Sequence, residues 1–434
     1  MKKVFIIFLS IILLNQKAFA ITLSEALLQA YKNNPELNAE RENLKISQEE
    51  LNIAKSEFLP TVTVSSSRSQ ENTQKLKNRN GTSSSITNVN PETQSIKLEQ
   101  KLFRGLGGLA NLEKNKIGIN IALSKLLKVE QEILYKAVEA YSGLILASEK
   151  LDINQENVNV FERTVETAKA QLERAQITLA DLAQAESSLA SAQAKFIEAK
   201  NEVVTAKLIY EKVIGLISDT KSLKKNPDIH LAIIPNTLNN AIKLSKVNNP
   251  DLIIATLEYQ QSESNVKESR ADLSPSATLS LESKKIDDVS STYSESDKDT
   301  ITATISWPIF QGGKNIASLK KSKNLKNRKK LLLDHAIKSN DTNVASTWSI
   351  MESKKSLLNS VSQQVKAAEI ANEGITLEYE SGLGRSTLDV MQSNSILLDS
   401  KESLANSKRE YLLSQFKLLQ SVGLFNNNHL KLQQ

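Results

Sequence analysis

The sequence predicts a mainly α-helical chain made of two copies of one plan, each copy interrupted by a pair of β-strands. Three observations carry this. Leu182, Leu189, Phe196, Val203 and Tyr210 recur at every seventh position, and three places after each stands a slimmer partner: Ala185, Ala192, Ala199, Ala206 and Val213. An a/d seam held over five heptads is the mark of a coiled-coil helix. The same ruler fits Val390, Leu397, Leu404, Tyr411 and Leu418, with Ser393, Ser400, Ser407, Ser414 and Ser421 three places on, each 208 residues after its counterpart. Finally, the eight prolines leave residues 92–226 and 309–434 free, and proline is what breaks helix interiors.

Composition agrees with long helices that bury a narrow seam. Only 5% of residues are aromatic while 24% are charged, and the net charge is +6. The basic run at 320–330 (KKSKNLKNRKK) has no interleaved aromatics, so it reads as the solvated face of a helix rather than a nucleic-acid site. The chain has no cysteine, which excludes disulfides and thiol catalysis.

Residues 1–20 read as a cleavable secretory signal. Lys2 and Lys3 open it, an apolar run over 4–14 follows, and Ala18-Phe19-Ala20 closes it. The apolar run is too short for a spanning helix, and no later stretch approaches the length of about 20 residues that one needs. Any membrane crossing by the mature chain is therefore expected to use strands.

The first repeat is predicted over 21–219. It opens with a helix at 23–58, capped by Thr22 or Ser24. Strands follow at about 60–70 and 94–103, where Val62 and Val64, then Ile96, Leu98 and Leu102, alternate with polar residues. A polar loop over 65–93 joins them. A helical hairpin at about 106–215 completes the repeat. Its ascending arm carries Ala137, Leu144, Leu151, Val158, Val165 and Leu172 at heptad spacing, so the two arms pack antiparallel.

A linker at 220–236 leads to the second repeat, 237–425. It comprises a helix at 238–273, strands at about 275–283 and 300–310, and a hairpin at about 313–422, before a tail at 426–434. Asn33-Asn34-Pro35-Glu36-Leu37 returns as Asn248-Asn249-Pro250-Asp251-Leu252, and Phe103-Arg104-Gly105 returns as Phe310-Gln311-Gly312.

Four strands with one apolar face pose a problem. Open sheet edges cannot face lipid, and the smallest closed barrels use about eight strands. Either the strands form a soluble sheet or several protomers pool them. Trp307, Phe310 and Phe103 gather at one end of the pairs, where an aromatic girdle would lie.

The hairpins turn at related motifs, Arg174-Ala175-Gln176-Ile177-Thr178-Leu179-Ala180-Asp181 and Tyr379-Glu380-Ser381-Gly382-Leu383-Gly384-Arg385-Ser386-Thr387-Leu388-Asp389. These tips, the signal segment, the Asn-Pro elements, the Phe-x-Gly turns and the duplicated order together resemble the TolC family of outer-membrane channels over nearly the whole mature chain. The resemblance implies a homotrimer in which four strands per protomer join one twelve-stranded barrel in outer-membrane lipid. It implies that the helices form a periplasmic tunnel, belted by 216–236 and the C-terminal tail. It also implies a passive exit duct for small molecules or proteins in a tripartite efflux pump or type I secretion system. The partners would be a periplasmic adaptor (membrane fusion) protein and an ABC or proton-driven inner-membrane translocase.

Carried onto this sequence, the family's periplasmic gate falls on Asp181, Tyr379, Arg385 and Asp389, with Arg385 and Tyr379 expected to latch onto Asp181 of a neighbouring hairpin. The chain departs from the pattern at three points: Ala175 replaces a glycine, the second tip is one residue longer, and Gln392 replaces a second ring acid. The acids also have a plainer reading. Thr178-x-x-Asp181 and Ser386-x-x-Asp389 fit capping boxes.

No nucleophile–base constellation stands out. His230, His335 and His429 lack ligand spacing. Gly105-Leu106-Gly107-Gly108 lacks the Lys-Ser/Thr of a phosphate-binding loop and reads as a bend. Neither a cofactor nor an enzyme activity is expected. The alternatives to a channel are a periplasmic coiled-coil adaptor, which usually carries one hairpin rather than two, and a secreted coiled-coil structural protein.

Overall fold

A computed structural model describes residues 21–77, 79–81, 84–217, 220, 223–225, 234–290, 292–381 and 383–432. The signal segment, most of the linker and Gly382 lie outside the described residues. The chain divides into two compact units. One draws on Met1–Arg41, Lys125–Leu252 and Ile337–Gln434, the other on Glu42–Ser124 and Ile253–Ala336.

Each repeat opens with two helices where the sequence predicts one. In place of 23–58 stand α1 (Leu23–Asn33) and α2 (Pro35–Ser56). The strands that follow are β1 (Thr61–Arg68), β2 (Glu71–Lys77), β3 (Ser84–Val89) and β4 (Glu92–Arg104), and the hairpin is α3 (Gly107–Glu173) and α4 (Leu179–Val213). In place of 238–273 stand α5 (Leu238–Asn248) and α6 (Pro250–Ala271), followed by β5 (Ser276–Asp287), β6 (Glu295–Ser306), α7 (Lys314–Glu380), α8 (Thr387–Val422) and a single turn α9 (Asn427–Leu430) in the tail. The breaks fall at Asn34 and Asn249, both extended, with ψ of 124° and 119°. A residue before proline is driven out of the α region, and the proline then supplies a preformed first helical position.

In the first unit the two Asn-Pro breaks are fastened in the same way. Asn34 Oδ1 accepts from the backbone N–H of Glu36 (3.0 Å) and Leu37 (3.3 Å), while its amide donates to the carbonyl of Val213 at the end of α4 (3.4 Å). Asn249 Oδ1 accepts from Asp251 (2.9 Å) and Leu252 (3.3 Å), and its amide donates to the carbonyl of Ser421 near the end of α8 (2.8 Å). One side chain thus caps one helix and satisfies a carbonyl left open at the end of another. Gly215 and Gly423, both at positive φ, lie just beyond those carbonyls. A Cβ on Gly215 would meet the Gln29 side-chain amide at 2.4 Å, and one on Gly423 would meet the Asn248 carbonyl oxygen at 2.2 Å.

The heptad seams are buried on their slim side. Ala185, Ala192 and Ala199 are inaccessible, and so are Ser393, Ser400, Ser407, Ser414 and Ser421. The serine hydroxyls of 393, 400, 414 and 421 bond carbonyls one turn back, which lets them occupy a seam without an orphaned donor. A larger core forms where α1 meets the hairpin arms, centred on Leu23, Leu27, Leu134, Tyr141, Tyr210, Phe416 and Phe425. The Tyr141 hydroxyl lies within hydrogen-bond distance of the carbonyls of Ile21 (3.0 Å) and Lys224 (2.8 Å). The tail expected after 425 is anchored, with the Phe425 ring tilted at 49° against Phe416 at 5.1 Å between centroids and Glu130 accepting from the N–H of Asn427 at 2.7 Å.

The second unit holds a four-stranded antiparallel sheet in the order β1-β4-β5-β6 and a separate β2–β3 hairpin inside the predicted polar loop. Strands β5 and β6 run further toward their connecting turn than expected, to Asp287↔Glu295. At the other end β6 stops at Ser306 rather than 310, because Pro308 has no N–H to offer a ladder. Trp307 instead donates its indole N–H to the carbonyl of Leu273 at 3.1 Å. Arg104 ties the repeats together, bonding Glu57 (3.0 Å) and Asp272 (3.3 Å), equivalent acids at the ends of α2 and α6. The glycine-rich stretch at 105–108 is a bend: Gly105 and Leu106 take φ of 50° and 65°, mirrored by Gly312 and Gly313 at 59° and 81°.

Candidate functional site: the amphipathic sheet and the hairpin tips

Register assigns each strand residue to a face. Val62, Leu98, Leu281 and Ile301 stand opposite one another across all four strands. The adjoining rows on the same face are Val64–Ile96, Leu279–Ala303 and Phe103–Ala277–Ile305. This face is apolar yet open: Val64 is 73% exposed and Ile301 75%. From Ile96 to Phe103, six register steps across a bulge (opposite Ser283 to Ala277), the apolar band runs about 20 Å along the strand at ~3.3 Å per residue, against the ~25 Å apolar height of an outer-membrane barrel. Phe103, Trp307 and Phe310 lie exposed at its helix-side margin, and Asp297, Asp299 and Glu295 mark the turn-side margin. The opposite face carries Thr61, Thr63, Ser95, Lys97, Glu99, Ser280, Glu282, Thr300 and Thr302. Such a sheet is built to separate hydrocarbon from water.

At the tips, both predicted acids sit in complete capping boxes. Asp181 Oδ2 accepts from the N–H (2.8 Å) and hydroxyl (2.7 Å) of Thr178, whose Oγ1 accepts from the N–H of Asp181. Asp389 does the same with Ser386, at 2.8 Å for both contacts. These bonds to the ionised form, first from the backbone and then from the hydroxyl, hold both carboxyls below the usual carboxylate range. The first tip turns at Ala175, with φ of 54°, and the N–H of Gln176 reaches back to the carbonyl of Gln171 at 2.9 Å. The equivalent bond of the second tip runs from Leu383 to Glu378 at 3.0 Å.

Arg385 donates from Nε to Glu378 within its own hairpin at 2.6 Å. Tyr379 reaches across to the first hairpin, donating to Gln171 Oε1 at 2.8 Å, and lies 3.1 Å from Thr387 Oγ1. Among the described residues of one chain, then, the tips are joined through Tyr379 and Gln171, while Arg385 and Asp181 each have partners in their own hairpin. Sequence reasoning did not single out Gln171 or Glu378. Gln171 and Glu378 occupy the same position of α3 and α7, 207 residues apart and one before Leu172 and Tyr379, so the duplication is the signal that links them.

The family model for outer membrane efflux proteins matches residues 26–215 and 241–424, one stretch in each repeat. The chain belongs to the outer membrane efflux protein family. The outer membrane efflux protein BepC of Brucella suis is similar at 26% identity over 423 residues, covering 97% of this chain and 90% of BepC. The outer membrane protein TolC of Escherichia coli is similar at 22% identity over 430 residues, covering 95% of this chain and 85% of TolC. Among solved structures, the CmeC outer membrane channel of Campylobacter jejuni superposes with a TM-score of 0.80 at 16% identity, covering 92% of this chain and 85% of that one. At that identity the superposition establishes the fold.

The resemblance to the TolC family and the mainly helical fold with a four-stranded sheet are thereby borne out. As an outer membrane efflux protein, the chain is an exit duct of efflux and secretion systems and not an enzyme. No described helix is long and apolar enough to cross a membrane. The family's membrane-crossing element is accordingly sought in the amphipathic sheet.

Proposed function

We propose that three copies of this chain close a single twelve-stranded barrel in the outer membrane, each contributing β1, β4, β5 and β6. The observation that carries this reading is the sheet itself, whose exposed apolar face is bounded by two edge strands, β1 and β6, without a further partner among the described residues. Lipid tolerates no open edge, and pairing β6 of one copy with β1 of the next removes every edge at once. The helical hairpins then form the periplasmic tunnel, reached after removal of the 1–20 signal. The tunnel receives cargo from a periplasmic adaptor and an ABC or proton-driven inner-membrane translocase. Outer-membrane fractionation with an SDS-resistant, heat-dissociable trimer tests this; a soluble periplasmic monomer would overturn it.

The periplasmic gate is assigned to the tips, with Tyr379 and Arg385 as latch and Asp181 and Asp389 as the acids of the constriction. The Tyr379–Gln171 bond supports the assignment because it already joins two hairpins. Arg385 suits the role through its planar fork of donors, which leaves further N–H groups beyond the Nε bond to Glu378. Capping and gating are compatible for the acids, since a carboxylate that caps its own helix retains acceptor capacity. Arg385→Ala should raise single-channel conductance in planar bilayers, and unchanged conductance would remove Arg385 from the gate.

A further inference from the structure

The polar face of the sheet carries an unneutralised cationic row. Lys284 of β5 and Lys298 of β6 stand directly opposite each other, in register with Ser95 of β4 and Ser65 of β1. Like charges opposed across a strand pair are destabilising, so the arrangement calls for a compensating role. Among the described residues neither lysine enters an ion pair.

The nearby acids are unavailable for a geometric reason. Asp287, Glu295, Asp297 and Asp299 alternate onto the other face, where Lys285 bonds Glu295. On the polar face Lys97 bonds Glu99 at 2.7 Å and stands opposite Glu282, so one lysine already serves two acids. Toward the turn the next row holds Thr93, Ile286 and Ser296, with no acid at all.

From these placements we infer that Lys284 and Lys298 form an anion-selecting ring in the lumen near the β5–β6 end of the barrel. Its ligands are polyanions bearing phosphate or carboxylate groups. The inference rests on the trimeric-barrel reading, in which the apolar face meets lipid and the polar face meets water. Two lysines per chain then become six around one lumen. Three-fold repetition concentrates positive potential in a confined space, where charge of one sign raises the local concentration of its counter-ions. Below it Lys97, Glu99 and Glu282 sum to −1 per chain over two rows and Lys101 in the next row brings the balance to zero, so the lysine pair is the one like-charged cationic row along this face among the described residues.

The test is side-specific block of single channels in planar bilayers, with inorganic tripolyphosphate added on the side of the β5–β6 turn. Block of the unmodified channel is expected. K284Q/K298Q should need about tenfold more tripolyphosphate for half-block, and K284E/K298E should move the reversal potential in a KCl gradient toward cations. K285Q, one residue away but on the opposite face, should behave as the unmodified channel. Retention of the SDS-resistant trimer by each variant separates lost selectivity from lost assembly. Conducting channels that tripolyphosphate blocks equally in all variants, or not at all, would overturn the ring while leaving the duct intact. Absence of any conductance from the unmodified protein would overturn the barrel reading and the ring with it.

Discussion

The two repeats carry one fastening device at two strengths. In the first, Asn34 reaches the Val213 carbonyl at 3.4 Å and Gly215 faces the end of a flexible side chain, Gln29. In the second, Asn249 reaches the Ser421 carbonyl at 2.8 Å within buried surroundings, and Gly423 is pressed against the backbone of Asn248. A side-chain amide can rotate away and a carbonyl in a helix end cannot. Duplication has kept the geometry of the lock while its tightness has diverged, and the second copy is the less forgiving.

Gly423→Ala should do the most damage, destabilising by about 2–4 kcal/mol through backbone clash at positive φ. Gly215→Ala should cost about 1–2 kcal/mol, chiefly from its conformation, once Gln29 moves aside. Thermal unfolding in detergent measures both, and equal losses would break the comparison. Asn249→Ala should cost about 2–3 kcal/mol by leaving buried partners unpaired, against about 1–2 kcal/mol for Asn34→Ala.

The left-handed positions sharpen the comparison from the opposite side. Ala175 and Leu106 adopt φ of 54° and 65°, where the second repeat has Gly382 and Gly313. Ala175→Gly and Leu106→Gly should each stabilise by about 0.5–1 kcal/mol, as relief of strain outweighs the added chain entropy. A loss of stability from either would show that the first repeat depends on that side chain.

The smallest effect is expected from acid at the tips. Asp181 and Asp389 have carboxyls held below their usual range, so their capping contribution is complete above about pH 4 and lost as pH falls through the depressed values. Hydrogen-exchange protection at 178–182 and 386–390 should fall together on acidification below that point. A fall at one tip alone would mean that the two capping boxes are not equivalent.

The seams, both hairpins and the existence of four strands were legible because each writes a period into the chain, seven for the helices and two for the strands. Leu281 and Ile301 announce their faces in that way. The β2–β3 hairpin does not, since its sequences, ENTQKLK and SSITNV, are polar and carry no face. The turn-side ends of β5 and β6 were missed for a related reason: beyond Leu281 the apolar face gives way to Ser283, Lys285 and Asp287. The breaks at Asn34 and Asn249 were visible as prolines, but a helix predicted from its apolar positions runs straight across them. At the tips, Asp181 and Asp389 were found with their capping partners. Gln171 and Glu378 were not, because neither the Tyr379–Gln171 bond between repeats nor the Arg385–Glu378 bond within one leaves a hydrophobic period to read.

The unpartnered margins of the sheet bear on how the protein reaches its destination. Among its described residues a single copy carries two sheet edges, β1 and β6, beside a bare apolar surface, and such edges seek any strand that will pair with them. The copy is thus complementary to others of its kind before any lipid is present, and equally to the wrong register or the wrong chain. On the barrel reading proposed above, strand pairing between copies and entry into the bilayer proceed together. On that reading the yield of correctly joined copies depends on how many protomers meet, and how soon, while those margins are still uncovered.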